Sequence, residues 1–190
     1  MDELEKRMRP GAYSGVGFLG STESLEEVLR QDKLTLQQLR LSCKQISAEL
    51  KKIFLDAIKQ EEKSWEDAPQ KAIKREEQEG RLINWCGTSI FSSDNLPDPT
   101  LGFIVGSKYQ VFLLQSKGIQ QCPWDCVLKR DLHWSSIDFL LLNRTSGHSI
   151  IMPGLIVHLI QKHHFFEGKE SPYRVEPIHL ATVLELVPSE

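Results

Sequence analysis

The sequence predicts an α+β protein: an N-terminal helical segment, then a small antiparallel sheet with two packing helices, with a zinc staple as a candidate feature. Three observations lead there. Apolar residues recur at helical spacing over residues 43–62, and short strand-like runs broken by turn residues follow Leu82. Two cysteines and two histidines then sit at metal-ligand spacings in the second half of the chain.

Residues 1–22 carry Gly11, Gly15, Gly17 and Gly20 among serines and charges, and are expected to be a flexible leader. No strand–turn–helix pattern follows these glycines, so they do not form a phosphate loop. From Ser24 to about Gly80 the pattern is helical. Ser24 precedes Leu25-Glu-Glu27, a cap followed by an acidic first turn. Thr35 with Gln38, and Ser42 with Gln45, have capping-box spacing. The strongest helix runs from about Cys43 to Glu62, where Ile46, Leu50, Ile53, Phe54, Ala57 and Ile58 make one apolar stripe. That stripe must be buried against the rest of the chain or against a partner. Ile46, Leu50, Ile53 and Phe54 are therefore the expected protein-interaction surface. Residues 61–81 hold charges of both signs and Pro69, and read as a spacer. The division expected is a leader at 1–22, a helical segment and charged spacer at 23–81, and an α+β domain at 82–190.

Within the last part, 101–105 and 109–115 flank Gly106-Ser-Lys108 as a hairpin. Residues 126–132 and 137–143 are two more strand candidates, and Ser146-Gly147 turns the chain into a strand at 149–152. Pro153-Gly154 opens a helix to about His163, with Pro near its first position. Pro177 opens a last apolar segment to Val187, read as helix.

Across 190 residues the apolar fraction is 40% and the net charge is −3. This argues against wholesale disorder and against a global basic footprint for nucleic acid. No apolar run approaches the roughly 18–20 residues that span a bilayer, so no membrane association is expected. The start of the chain lacks the apolar core of a signal peptide, and a cytoplasmic or nuclear location is expected. Asn143-Arg-Thr145, a glycosylation pattern, then reads as accidental. In a reducing compartment, Cys43, Cys86, Cys122 and Cys126 are expected as buried thiols or metal ligands rather than disulfides.

Cys122-Pro-Trp-Asp-Cys126 and His158-Leu-Ile-Gln-Lys-His163 supply the candidate metal ligands. A short loop lets two thiolates share one ion, and Pro123 limits its freedom. His158 lies within the expected helix and His163 at its end. Five helical residues turn through about 500°, leaving the two side chains about 140° apart, so both reach one ion only where the last turn tightens or unwinds. His164 is the substitute ligand. In ligand order, residues 122–163 resemble an enlarged finger of the two-cysteine, two-histidine kind. The gap, residues 127–157 or 31 in all, is far longer than in that family, and DNA recognition does not carry over.

The other candidates are weaker. Trp85-Cys86-Gly87 resembles the start of a thioredoxin-type redox motif, but residue 89 is Ser where a second cysteine is needed. Cys86 with His133 or His148 as base is the cysteine-nucleophile alternative. Helices at 35–59, with Lys44, Gln45, Lys51 and Lys52, have a helix–turn–helix rhythm, a nucleic-acid alternative diluted by Glu49 and Asp56. Lys162-His-His-Phe-Phe166 reads as an anchored helix end more than a base-stacking platform. No carboxylate stands out as a general acid or base. The reading is therefore a non-enzymatic binding or adaptor module with a structural zinc site at Cys122, Cys126, His158 and His163. The alternatives are an enzyme using a cysteine nucleophile or a catalytic metal, and a nucleic-acid binder.

Overall fold

The structure, a computed structural model, describes residues 3–66, 102–115, 120–126 and 137–187. Among them are five helices: α1 (Glu3–Met8), α2 (Leu25–Gln38), α3 (Cys43–Glu66), α4 (Ile156–His163) and α5 (Pro177–Val183). Four strands, β1 (Phe103–Val105), β2 (Tyr109–Gln115), β3 (Ile137–Asn143) and β4 (Ser149–Pro153), form an antiparallel meander in the order β1-β2-β3-β4. Register is fixed by pairs such as Phe103 with Val111, Leu113 with Phe139 and Phe139 with Met152. The α+β class expected from the sequence is what the chain adopts.

Local chemistry explains the helix ends. Ser42 and Gln45 close a capping box, with the Ser42 N–H donating to Gln45 Oε1 at 3.0 Å and the Gln45 N–H to Ser42 Oγ at 3.3 Å. Thr35, spaced the same way, is instead inside α2, where its hydroxyl donates to the Gln31 carbonyl at 3.1 Å. Spacing alone could not separate the two, because apolar periodicity continues through Leu36. Ser24 takes the extended N-cap conformation without a side-chain cap bond. Pro177 occupies the first turn of α5, where its missing N–H costs nothing. Pro153, expected near the start of a helix, instead ends β4 opposite Asp138, and α4 starts three residues later.

The stripe on α3 is the main core contribution: Ile46, Leu50, Ile53, Phe54 and Ala57 are all buried. Phe54 stacks on Phe139 of β3 with centroids 3.7 Å apart, and α3 packs against α4, β1 and β2. The surface expected to meet a partner is thus covered by the chain's own sheet and α4. Phe165 and Phe166, directly after α4, are fully buried and anchor it as expected.

Residues 3–20 do not form the flexible leader that their glycines suggested. Met8, Phe18 and Leu19 are fully buried, and the Phe18 and Leu19 N–H groups donate to the Met8 carbonyl at 2.8 and 3.1 Å. Gly17 shows why a glycine-rich sequence misleads. Its φ is +77°, and a Cβ there would stand 2.6 Å from the Pro10 nitrogen. The residue serves close backbone approach, not mobility.

Asn143 is buried, and its amide donates to the Val183 carbonyl at 2.9 Å, which suits the accidental reading of its glycosylation pattern. The spacer around Pro69, Cys86 and its neighbours, His133 and most of the 126–132 strand lie outside the described residues.

Candidate metal centre

Cys122 to Asp125 form a tight turn in which the Asp125 N–H donates to the Cys122 carbonyl at 3.0 Å. Pro123 occupies its second position, where a fixed φ favours the turn, and Asp125 follows with a left-handed φ of +52°. The turn sets both sulfurs toward α4. On the helix, the His164 N–H reaches the carbonyls of both Ile160 and Leu159, and the Phe165 N–H also donates to Leu159 at 3.2 Å. Bonds reaching five or more residues back mark a slackened last turn. That is the unwinding needed to bring residues five apart together. His158 and His163 have ring centroids 5.2 Å apart. His164, at φ +54°, is the left-handed cap and stays outside the cluster.

One ligand atom from each of Cys122, Cys126, His158 and His163 lies within 4.8 Å of all the others. His163 Nε2 is 3.5 Å from Cys122 Sγ and 3.2 Å from Cys126 Sγ. Zinc bonds of about 2.3 Å to sulfur and about 2.0–2.1 Å to nitrogen give a tetrahedron an S–N edge of about 3.5 Å. The spacing therefore suits four ligands on one small ion. His158 is only 7% exposed, and its buried Nε2 has no hydrogen-bond partner. A buried polar atom left in that state is costly unless a ligand satisfies it.

The electrostatics point the same way. Burial first, then the nearby His158, His164 and Lys162, push His163 down to about 4. Burial and Lys162 also lower His158. Cys122 is pushed up to about 11, mainly by burial, with Cys126 adding to it. All these shifts disfavour charge on groups that have no counter-charge among the described residues. A divalent cation with two thiolates and two neutral imidazoles balances to zero.

Trp124 and Asp125, between the two cysteines, were not singled out by sequence reasoning. The Trp124 ring stacks on His163 with centroids 4.0 Å apart and meets Phe165 edge-on at 5.5 Å, fixing the imidazole plane. Asp125 Oδ1 accepts from the Tyr13 hydroxyl at 2.7 Å, and its Oδ2 accepts from Arg7 Nη1. Only their position inside the Cys-x-x-x-Cys loop marked them.

A second buried polar cluster joins α2 to the segment before α5. Arg174 makes a bidentate pair with Asp32, at 2.8 and 2.6 Å, and donates to the Glu167 carbonyl at 2.6 Å. Glu167 is buried at φ +67°. One carboxylate oxygen accepts from Ser171 Oγ at 2.6 Å, while Oε1 has no partner. Burial raises its carboxyl to about 7. No periodicity or motif marked Glu167. Of the alternative sites, Lys44, Gln45, Lys51 and Lys52 are exposed on α3, though the Gln45 side chain is engaged in the capping box.

Fold and cluster together define an α+β chain with a two-cysteine, two-histidine group able to hold a metal ion. Compared with protein-family models, curated proteins and solved structures, the chain matches none.

Proposed function

We propose that this protein is a zinc-stapled, non-enzymatic binding or adaptor module, with Cys122, Cys126, His158 and His163 as the four zinc ligands. The observation that carries this reading is the His163 imidazole at tetrahedral-edge distance from two thiols, beside the unpartnered buried Nε2 of His158. Four protein ligands close the coordination sphere, which characterises structural rather than catalytic zinc. A catalytic site would keep an open position beside a free base, but the nearest carboxylate in the loop, Asp125, is engaged by Arg7 and Tyr13. The zinc would pin the 122–126 turn to α4, fixing one end of the helix that covers α3.

Elemental analysis of the purified protein tests this together with the Cys122→Ser and His163→Ala variants. The expected result is close to one zinc per chain, lost in both variants along with thermal stability. A metal-free protein with full stability contradicts it. An adaptor role adds a second expectation: a binding partner is captured by the zinc-loaded chain and lost from the Cys122→Ser variant.

A further inference from the structure

We propose that metal binding at the Cys/His cluster latches the N-terminal segment, residues 3–20, onto the rest of the chain, so that docking of this segment reports metal occupancy. The inference rests on the zinc reading above and adds a regulated element to it.

The segment gives no ligand to the cluster, yet it is tied to both halves of it. On the cysteine side, Arg7 and Tyr13 converge on the two oxygens of Asp125, the residue immediately before Cys126, and Arg7 also donates to the Pro123 carbonyl at 3.3 Å. On the histidine side, the Gly168 N–H, beyond the end of α4, donates to the Phe18 carbonyl at 2.7 Å. The Glu23 carboxylate, just past the segment, accepts from the Lys169 N–H at 2.7 Å. Residues 3–20 therefore lie across a joint whose two sides are the turn with the thiols and the loop behind the imidazoles.

What holds that joint in register is the cluster itself. Asp125 presents its carboxylate from a left-handed backbone at the end of the turn, a conformation aspartate tolerates, so its direction follows that of the turn. The turn is closed by the Asp125 N–H on the Cys122 carbonyl and by Trp124 and Cys126 N–H groups on the Cys122 sulfur. It meets α4 through the Trp124 stack on His163 and through thiol contacts of 3.5 and 3.2 Å to that imidazole. A shared ion converts those contacts into four coordinate bonds. The clamp on Asp125 is part-exposed and individually weak, so it depends on the turn being held in place. Linkage makes the effect reciprocal: if metal favours docking, docking favours metal by the same factor.

Amide hydrogen exchange on the full chain tests the latch, with zinc content measured in each sample. Phe18 and Leu19, whose N–H groups both donate to Met8, report docking, while Val111 and Leu141, paired at the centre of the sheet, report global opening. Chelating zinc is expected to speed exchange at Phe18 and Leu19 by about 5–150-fold, the usual range for coupled sites, and to change the sheet amides much less. In an Arg7→Gln, Tyr13→Phe double variant these two amides are expected to exchange fast even with zinc bound. Gly17→Ala, which forces a Cβ against the backbone of Met8, Arg9 and Pro10 rather than against a ligand residue, is expected to weaken zinc binding while leaving the stoichiometry at one. A zinc-loaded protein whose Phe18 and Leu19 amides ignore chelation, or merely follow the sheet, overturns the latch and leaves the zinc site standing. Unchanged zinc affinity in an undocked Gly17→Ala protein does the same. A protein that takes up no zinc overturns both.

Discussion

Two buried polar clusters in this chain solve the same problem in different ways. Around Arg174, positive charge is matched within the protein: Asp32 takes the guanidinium on two bonds, and Glu176 adds a third contact at 3.1 Å. Around His163, two thiols and two imidazoles have no counter-charge among the described residues, and one imidazole nitrogen has no partner among them. Buried charge is tolerated only where it is paired or metal-bound. The first cluster pairs its charge within the protein, although one Glu167 carboxylate oxygen is left without a partner among the described residues. The second makes physical sense as a set of ligands.

The comparison breaks most visibly at Cys122→Ser. That change is expected to abolish zinc retention and to remove the stabilisation that zinc confers, about 4 kcal/mol where free zinc stands at 1,000 times its dissociation constant. Chelator should lower the melting temperature of the parent protein and leave that of the variant unmoved. Asp32→Asn is the matching test of the other cluster. Leaving Arg174 buried with its main partner gone should cost about 3 kcal/mol in denaturant unfolding, yet zinc stoichiometry should stay at one.

The two clusters should also respond to pH with opposite signs. For His163 in the zinc-free protein, the folded value near 4 lies below the ordinary 6.5. Its contribution is present above pH 6.5 and is lost as pH falls toward 4. For Glu167 the folded value near 7 lies above the ordinary 4.5. Its contribution is present below pH 4.5 and is lost as pH rises through 7. Glu167→Gln should therefore gain stability of about 3 kcal/mol at pH 8 and differ little from the parent at pH 4, as read by unfolding at the two pH values. The smallest effect is expected at Trp124→Phe, which keeps an aromatic face on His163: below about 1 kcal/mol of stability, with zinc retained.

The two clusters also differ in how far the sequence discloses them. Cys-x-x-x-Cys and the paired histidines are local spacings, so the four residues of the cluster were legible before any fold was known, and the need for an unwound helix end followed from helical geometry alone. The stripe on α3 was equally plain, but periodicity shows only that a face is buried, not by what. Its cover proved to be β3, the neighbouring strands and α4. The Asp32–Arg174 pair joins residues 142 apart in sequence, and no local pattern announces such a contact. The N-terminal segment was misjudged because glycine permits mobility and tight packing alike. The burial of Met8, Phe18 and Leu19 and the close approach of Gly17 to the Pro10 backbone distinguish them.

X-ray absorption at the zinc edge of the loaded protein tests the central claim most directly. The account requires a four-coordinate ion with two sulfur neighbours at about 2.3 Å and two nitrogen neighbours at about 2.0–2.1 Å, with one sulfur lost or replaced in Cys122→Ser. An ion ringed by oxygen and nitrogen alone, or a spectrum unchanged by that substitution, would contradict it.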